Sequence, residues 1–308
     1  MADGSALQRE TMETEPRSQL AVRAACEVAT NLGLSFERAI VLQHRSNAII
    51  HLAPTAVVAR VAMIPDTVRQ GSGWFAREMA VARHLAAANA PIIPPSSEID
   101  PGLHQHLGLV LGFWKFVKTL EQPFDPYQAG QALRSCHQVL KTFPGNLPTL
   151  ALLTEARQLL TQSIAAAFSP ADAELLMQIG ERSDQQLSRL PMQPIHGDSH
   201  SGNVLNTAQG VLWTDWEDTF YGPVEWDLAC LIAQPHVFGT NLEKSEAALQ
   251  GYGKAIDPDI LADCIVARTF IEVVWSVILQ RQRPNPARQA QLEQRLTWLK
   301  QYWASNSG

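Results

Sequence analysis

A chain of 308 residues, 46% hydrophobic and 18% charged, has the make-up of an ordinary globular protein with room for one large domain or two modest ones. Its net charge of −6, without any block of Lys or Arg, argues against a nucleic-acid partner, which needs basic residues to displace counterions. No uncharged apolar run is long enough to span a bilayer, since even residues 269–279 are interrupted by Glu272, so no membrane partner is expected.

The four cysteines, Cys26, Cys136, Cys230 and Cys264, are widely spaced and form no C-x-x-C pair. That spacing suggests reduced thiols. Residues 1–19 are polar and lack the apolar core of a signal peptide, so a cytoplasmic location is expected.

Residues 1–16 read as a disordered leader. Apolar spacing over 17–32 is helical, and Gly33 suits its stop. The period then changes: residues 39–52 and 56–63 are rich in Val and Ile around Ala53-Pro54-Thr55, which predicts a hairpin. A helix is expected over 74–89. After Pro91, Pro94 and Pro95, residues 107–117 read as a strand pair or a strand leading into a connector. Beyond Asp125 the pattern turns helical over 126–142, 150–168 and 170–190, then again over 243–254, 260–280 and 287–303. These elements predict an α+β chain: a small β-rich N-terminal lobe over 17–117 and a larger, mainly helical C-terminal lobe over 118–308.

Residues 193–227 are an island of different chemistry. His196-Gly197-Asp198 is followed by Asn203, then by a hairpin-like stretch, then by Asp215-Trp216-Glu217. The spacing H-x-D-x-x-x-x-N, β-turn-β and a further Asp is the layout of a kinase catalytic loop. One carboxylate must orient an acceptor hydroxyl and accept its proton. An Asn five residues on offers a neutral oxygen to Mg²⁺, and a hairpin presents a second carboxylate to the same metal.

With Trp226-Asp227-Leu228-Ala229 following, these residues resemble the aminoglycoside phosphotransferase and choline-kinase-like family, most sharply over 193–231. The resemblance implies a bilobal protein-kinase-like fold and transfer of the γ-phosphoryl of ATP, or GTP, to a small hydroxylated substrate with Mg²⁺. It implies Asp198 as catalytic base and Asn203 and Asp215 as metal ligands. His196 is expected to hold the loop, and Asp227 resembles the family's buried Asp that braces it. Arg60, on the strand-like stretch 57–62, takes the phosphate-pairing position, with Glu78 as its partner. The stretch 41–52 carries no glycine, so Ser46 and Asn47 would form the phosphate-covering turn. Residues 108–117 would be the adenine-binding connector. Gly197 stands where regulated kinases carry Arg, which implies a constitutively assembled site and a small-molecule rather than protein acceptor.

Glu217, Asp218 and Glu225 follow the metal Asp and would favour a cationic acceptor, or else cap the next helix. Trp216, Trp226 and Tyr221 are candidates for a substrate wall, or else for core packing. Two other readings stand beside the enzyme: a kinase-like module that binds nucleotide or metabolite without turnover, and a metal-dependent hydrolase built on His196, Asp198 and His200. Acceptor identity and oligomeric state stay open.

Overall fold

The computed structural model describes residues 16–44, 47–63 and 73–306, and divides them into two units. One runs up to Ala87 and takes in Ile92–Thr119; the other takes in Ala88–Pro91 and continues from Leu120. All but Pro16 of the expected leader lies outside the described residues.

In the first unit, helix α1 (Arg17–Asn31) buries Ala21, Ala24, Ala25, Val28 and Ala29, an apolar stripe at helical spacing. The stripe packs on one face of an antiparallel five-stranded sheet. Its strands are β1 (Arg38–His44), β2 (Asn47–Ala53), β3 (Val57–Ala62), β4 (His104–His106) and β5 (Leu109–Lys115), in the order β1-β2-β3-β5-β4. Alternation fixes the face: Ala48, Ile50 and Leu52 of β2 and Val57, Ala59 and Val61 of β3 join the α1 cluster. The opposite face of β3 carries Arg60, whose partner in register on β5 is Gly112. Helix α2 (Gly73–Ala87) lies against Gly112, where a Cβ would meet Met79 and Phe75 at 3.2 and 3.3 Å.

Two expectations need correction here. The run 39–52 is not one strand but two, β1 and β2, paired antiparallel, and the sequence between them carries no Gly or Pro to signal the break. The connector expected over 108–117 is largely β5, a ladder strand.

The second unit is helical. Helices α3 (Pro126–Leu140), α4 (Ala151–Leu159) and α5 (Pro170–Leu187) appear where the spacing predicts them, and α4 loosens into a π-turn at Leu160–Ile164. Asp125 and Ser169 cap α3 and α5 by accepting from Tyr127 N and Asp172 N, each ahead of a Pro at the first turn. The later helices are α6 (Val224–Phe238), α7 (Leu242–Tyr252), α8 (Pro258–Gln282) and α9 (Pro286–Asn306). Helix α6 was not expected beyond Asp227: it is apolar nearly all round, so it shows no period, and Pro235 sits inside it. Helices α3 and α7 meet through reciprocal glycines. A Cβ on Gly130 would strike the Ala248 carbonyl, and one on Gly251 the Tyr127 carbonyl. Among the described residues no helix is long and apolar enough to cross a membrane.

Candidate active site

The island folds as two small ladders. Strands β6 (Gln193–Ile195) and β9 (Phe220–Gly222) pair, as do β7 (Val204–Thr207) and β8 (Gly210–Trp213). The loop 196–203 leaves β6 and enters β7, and Asp215 lies just past β8.

Asp227, at the start of α6, holds this loop. Its Oδ2 accepts from His196 N at 2.7 Å and its Oδ1 from Gly197 N at 2.8 Å. Ser199 Oγ donates to the Asp227 carbonyl, and Trp226 Nε1 to the Gly197 carbonyl, at 2.7 and 2.8 Å. Gly197 has φ +88° and lies so close to the Asp218 carbonyl that a Cβ would collide with it, so no side chain fits there. Burial works to raise the Asp227 pKa, but the hydrogen bond and charge of His137 and the loop N–H groups prevail and hold it below the usual carboxylate range.

His137 of α3 was not singled out in the sequence. It joins Asp227 Oδ2 through Nε2 at 2.7 Å and the Tyr252 hydroxyl through Nδ1 at 2.8 Å. A histidine inside an amphipathic helix, 90 residues from its partner, carries no local signal.

His196 is fully buried. Its Nε2 donates to the Thr214 carbonyl at 3.0 Å and its Nδ1 accepts from Asp198 N at 3.3 Å. Both ring nitrogens are engaged, which fits loop support and leaves neither for a metal. Burial pushes its pKa down and keeps the ring neutral.

Asn203 and Asp215 are tied to the same loop. Asn203 Nδ2 donates to the Asp198 carbonyl at 2.9 Å, which leaves Oδ1 as the amide atom able to serve a cation. Thr214 N donates to the Asn203 carbonyl at 3.0 Å, bringing the end of β8 beside Asn203. Asp215 follows with φ 69° and ψ 64°, a left-handed conformation that costs a non-glycine residue about 1–2 kcal/mol. Among the described residues no three His, Cys, Asp or Glu side chains converge as a metal cage. One carboxylate and one amide oxygen suit a hard cation that keeps waters and phosphate oxygens as its other ligands, so the donor set fits Mg²⁺.

Asp198 has a partner that the sequence did not reveal. Arg268 of α8 forms an ion pair with Asp198 Oδ1 and donates to Glu272 Oε1 at 2.8 Å. Burial opposes the guanidinium charge, but nearby acidic groups, Asp198 foremost and Glu272 and Asp218 among the rest, hold it charged. A signal existed: Arg268 and Glu272 are the charged residues in the otherwise uncharged stretch 265–279, four apart on one helix face. His200 Nε2 lies 3.5 Å from Asp198 Oδ2, while its Nδ1 accepts from Gly202 N at 2.9 Å.

Beside this loop lies a cavity of about 530 Å³, lined by residues of the loop and of α6 to α9, Arg268 and His200 among them. The acidic and aromatic wall expected after Asp215 does not line it. Trp216 and Trp226 are fully buried and Glu217 nearly so. The short turn after Asp215 sends Trp216 inward onto the His196 ring, with centroids 4.4 Å apart. Glu225 pairs with Lys254 at 3.2 Å. Cys230 lines the cavity, but burial raises its thiol pKa, which disfavours the reactive thiolate.

Arg60, Glu78 and Asn47 belong to the first unit. Arg60 and Glu78 form a buried ion pair, and the guanidinium carbon lies 5.1 Å from the centroid of the Phe75 ring. Asn47 opens β2 and is buried, while Ser46 lies outside the described residues.

A family model described as APH, the phosphotransferase enzyme family, matches residues 59–263. Among solved structures, the chain is similar to the amicoumacin kinase hAmiN in complex with AMP-PNP, Ca²⁺ and Ami. That similarity has a TM-score of 0.70 at 15% identity, covering 90% of this chain and 93% of that one. It is also similar to a choline/ethanolamine kinase family protein from Mesorhizobium loti, with TM-score 0.61 at 18% identity over 91% and 94% of the two chains. The choline kinase LicA from Streptococcus pneumoniae gives a TM-score of 0.65 at 14% identity over 90% and 97%. The α+β, protein-kinase-like fold expected from the sequence is the one these likenesses bear out. No curated protein matches.

Proposed function

The chain belongs to the phosphotransferase enzyme family, and from that premise we propose a small-molecule kinase that moves the γ-phosphoryl of ATP, or GTP, onto a substrate hydroxyl. The observation that carries this reading is one loop bearing Asp198, Asn203 and, across a single hairpin, Asp215, with its backbone N–H groups pinned by Asp227. Preorganisation of this kind lets a site stabilise transferring charge without rearranging during the reaction.

Asp198 receives the acceptor proton. As that O–H bond breaks, the hydroxyl oxygen bonds to the γ-phosphorus, the bridge to the nucleoside diphosphate breaks, and the diphosphate leaves. Arg268 pairs with Asp198 Oδ1 and steadies the carboxylate that would take the proton. Asn203 Oδ1 and the Asp215 carboxylate would hold Mg²⁺, which when bound neutralises phosphate oxygens. Arg60 binds phosphate as a permanently charged planar cation, and Glu78 keeps it in place. The four free cysteines support a reducing, cytoplasmic setting.

The test is Mg²⁺-dependent ADP release from ATP, measured with a pooled acceptor panel. Asp198→Asn is expected to lower turnover about 10²- to 10⁴-fold while sparing nucleotide binding. Asp215→Asn should weaken metal-dependent nucleotide binding as well. Wild-type turnover in either variant would sink these assignments. Nucleotide binding with no acceptor-stimulated release would favour a non-catalytic binding module instead.

A further inference from the structure

The cavity beside the loop has a charge balance opposite to that expected from the residues after Asp215. Its lining includes Lys244 of α7, Arg268 of α8 and Arg295 of α9, with Glu272 as the sole lining carboxylate among the described residues. Even with Asp198 counted, which pairs with Arg268 without lining the cavity, three cations stand against two carboxylates.

Those two carboxylates are already engaged. Glu272 gives Oε1 to Arg268 at 2.8 Å and turns Oε2 toward Arg295 at 3.8 Å, so it is shared by two guanidinium groups. Asp198 is engaged by Arg268. A cationic acceptor entering here would meet no carboxylate that is not already matched. An anion would meet Lys244, which is exposed and has no carboxylate partner among the described residues. It would also meet Arg295, whose guanidinium carbon is held 5.1 Å from the centroid of the Phe238 ring.

A second, independent observation comes from Ser245. Its side chain is buried at 4% exposure and it lines the same cavity, yet its Oγ has no hydrogen-bond partner among the described residues. A buried hydroxyl without a partner is uncommon in folded proteins, and one that lines a cavity beside a lysine is a donor awaiting an acceptor atom from a ligand. An ammonium, a guanidinium and a hydroxyl lining one cavity are donor types that a carboxylate or phosphate ester accepts from.

We infer that the hydroxylated acceptor carries an anionic group, bound by Lys244, Arg295 and Ser245, with its hydroxyl directed to Asp198. This rests on the phosphotransferase reading and narrows its substrate class.

The experiment uses a three-carbon series that differs chiefly in charge: glycerol, glycerate, glycerol 3-phosphate and 3-amino-1,2-propanediol. Binding to the full chain is measured by calorimetry, which needs no turnover, and Mg-ATP-dependent ADP release is followed in parallel. At least one anion should bind tenfold or more tightly than glycerol and the amine. Which anion binds decides between carboxylate and phosphate. Lys244→Glu, at an exposed site outside the core, should weaken that anion at least tenfold, and Arg295→Gln should weaken it too. Equal binding of all four compounds, binding of none, preference for the amine, or anion binding untouched by both variants overturns the inference. The parent reading is scored separately. Anion binding without any ADP release that depends on Asp198 would overturn the kinase, whereas Asp198-dependent release without anion preference would overturn only the anionic acceptor.

Discussion

Arg268 ties the loop to the longest helix of its unit, and it is the residue whose loss should be felt in both stability and turnover. Removing it leaves Asp198 and Glu272 facing each other's charge without a mediator. Truncating one partner of a fully buried pair costs about 3–5 kcal/mol. Because Asp198 and Glu272 keep partial exposure, Arg268→Leu is expected to cost about 2 kcal/mol, read from urea denaturation. An unchanged midpoint would mean the pair is solvated in solution. At this scale the sequence was most legible where chemistry is local. Asp198, Asn203 and Asp215 are candidates from spacing within one short segment, and the same segment folds as a single loop and hairpin. Arg268 and His137 have no such spacing to mark them, because they reach the loop from 70 residues downstream and from 90 residues before Asp227. Trp216 was left open between substrate wall and core packing, and its burial favours packing; an aromatic next to a catalytic motif carries no mark of which way it turns.

Helices α3 and α7 approach so closely at Gly130 and Gly251 that the contact excludes even a methyl group. Gly251→Ala would force the Tyr127 carbonyl away and is expected to destabilise by about 1–3 kcal/mol. Gly33→Ala is the control for a different mechanism: it has open space around it but φ +84°, so its cost of about 1 kcal/mol comes from backbone conformation alone. Thermal or urea unfolding of the two variants separates the effects, and equal losses would argue against the close approach. Elements with a clear apolar period, such as α1 and α3, were read directly from the chain. The period failed for α6, whose burial on nearly all sides removes it, and the division of 39–52 into β1 and β2 was missed because no Gly or Pro separates them in the sequence.

For the whole molecule, the two buried groups that fix the loop make folding sensitive to acid in the same direction. His196 has a folded-state pKa below its unfolded value of about 6.5, so the unfolded chain binds the extra proton first. Its contribution is therefore complete above about pH 6.5 and is lost as pH falls below that value. Asp227 is also depressed, so what it adds is present above about pH 4 and disappears as pH falls further. The melting temperature should decline between pH 7 and pH 5, and His196→Asn, though less stable at pH 7, should show a flatter profile. A wild-type profile level to pH 5 would contradict the neutral, buried imidazole. The α+β division was legible at this scale from the change of period near residue 125. The charge of the cavity beside the loop was not, because Lys244, Arg268 and Arg295 come together only when three helices pack.

The aromatic surroundings of His196 also make the loop visible to light. Its ring centroid lies 4.4 Å from that of Trp216 and 5.4 Å from that of Trp213, while Trp226 is bonded to the Gly197 carbonyl. An imidazolium at such range quenches indole emission where a neutral imidazole does so weakly. Three fully buried indoles among the eight in the chain thus form a built-in fluorophore whose brightness follows the protonation and seating of the loop, with no label attached.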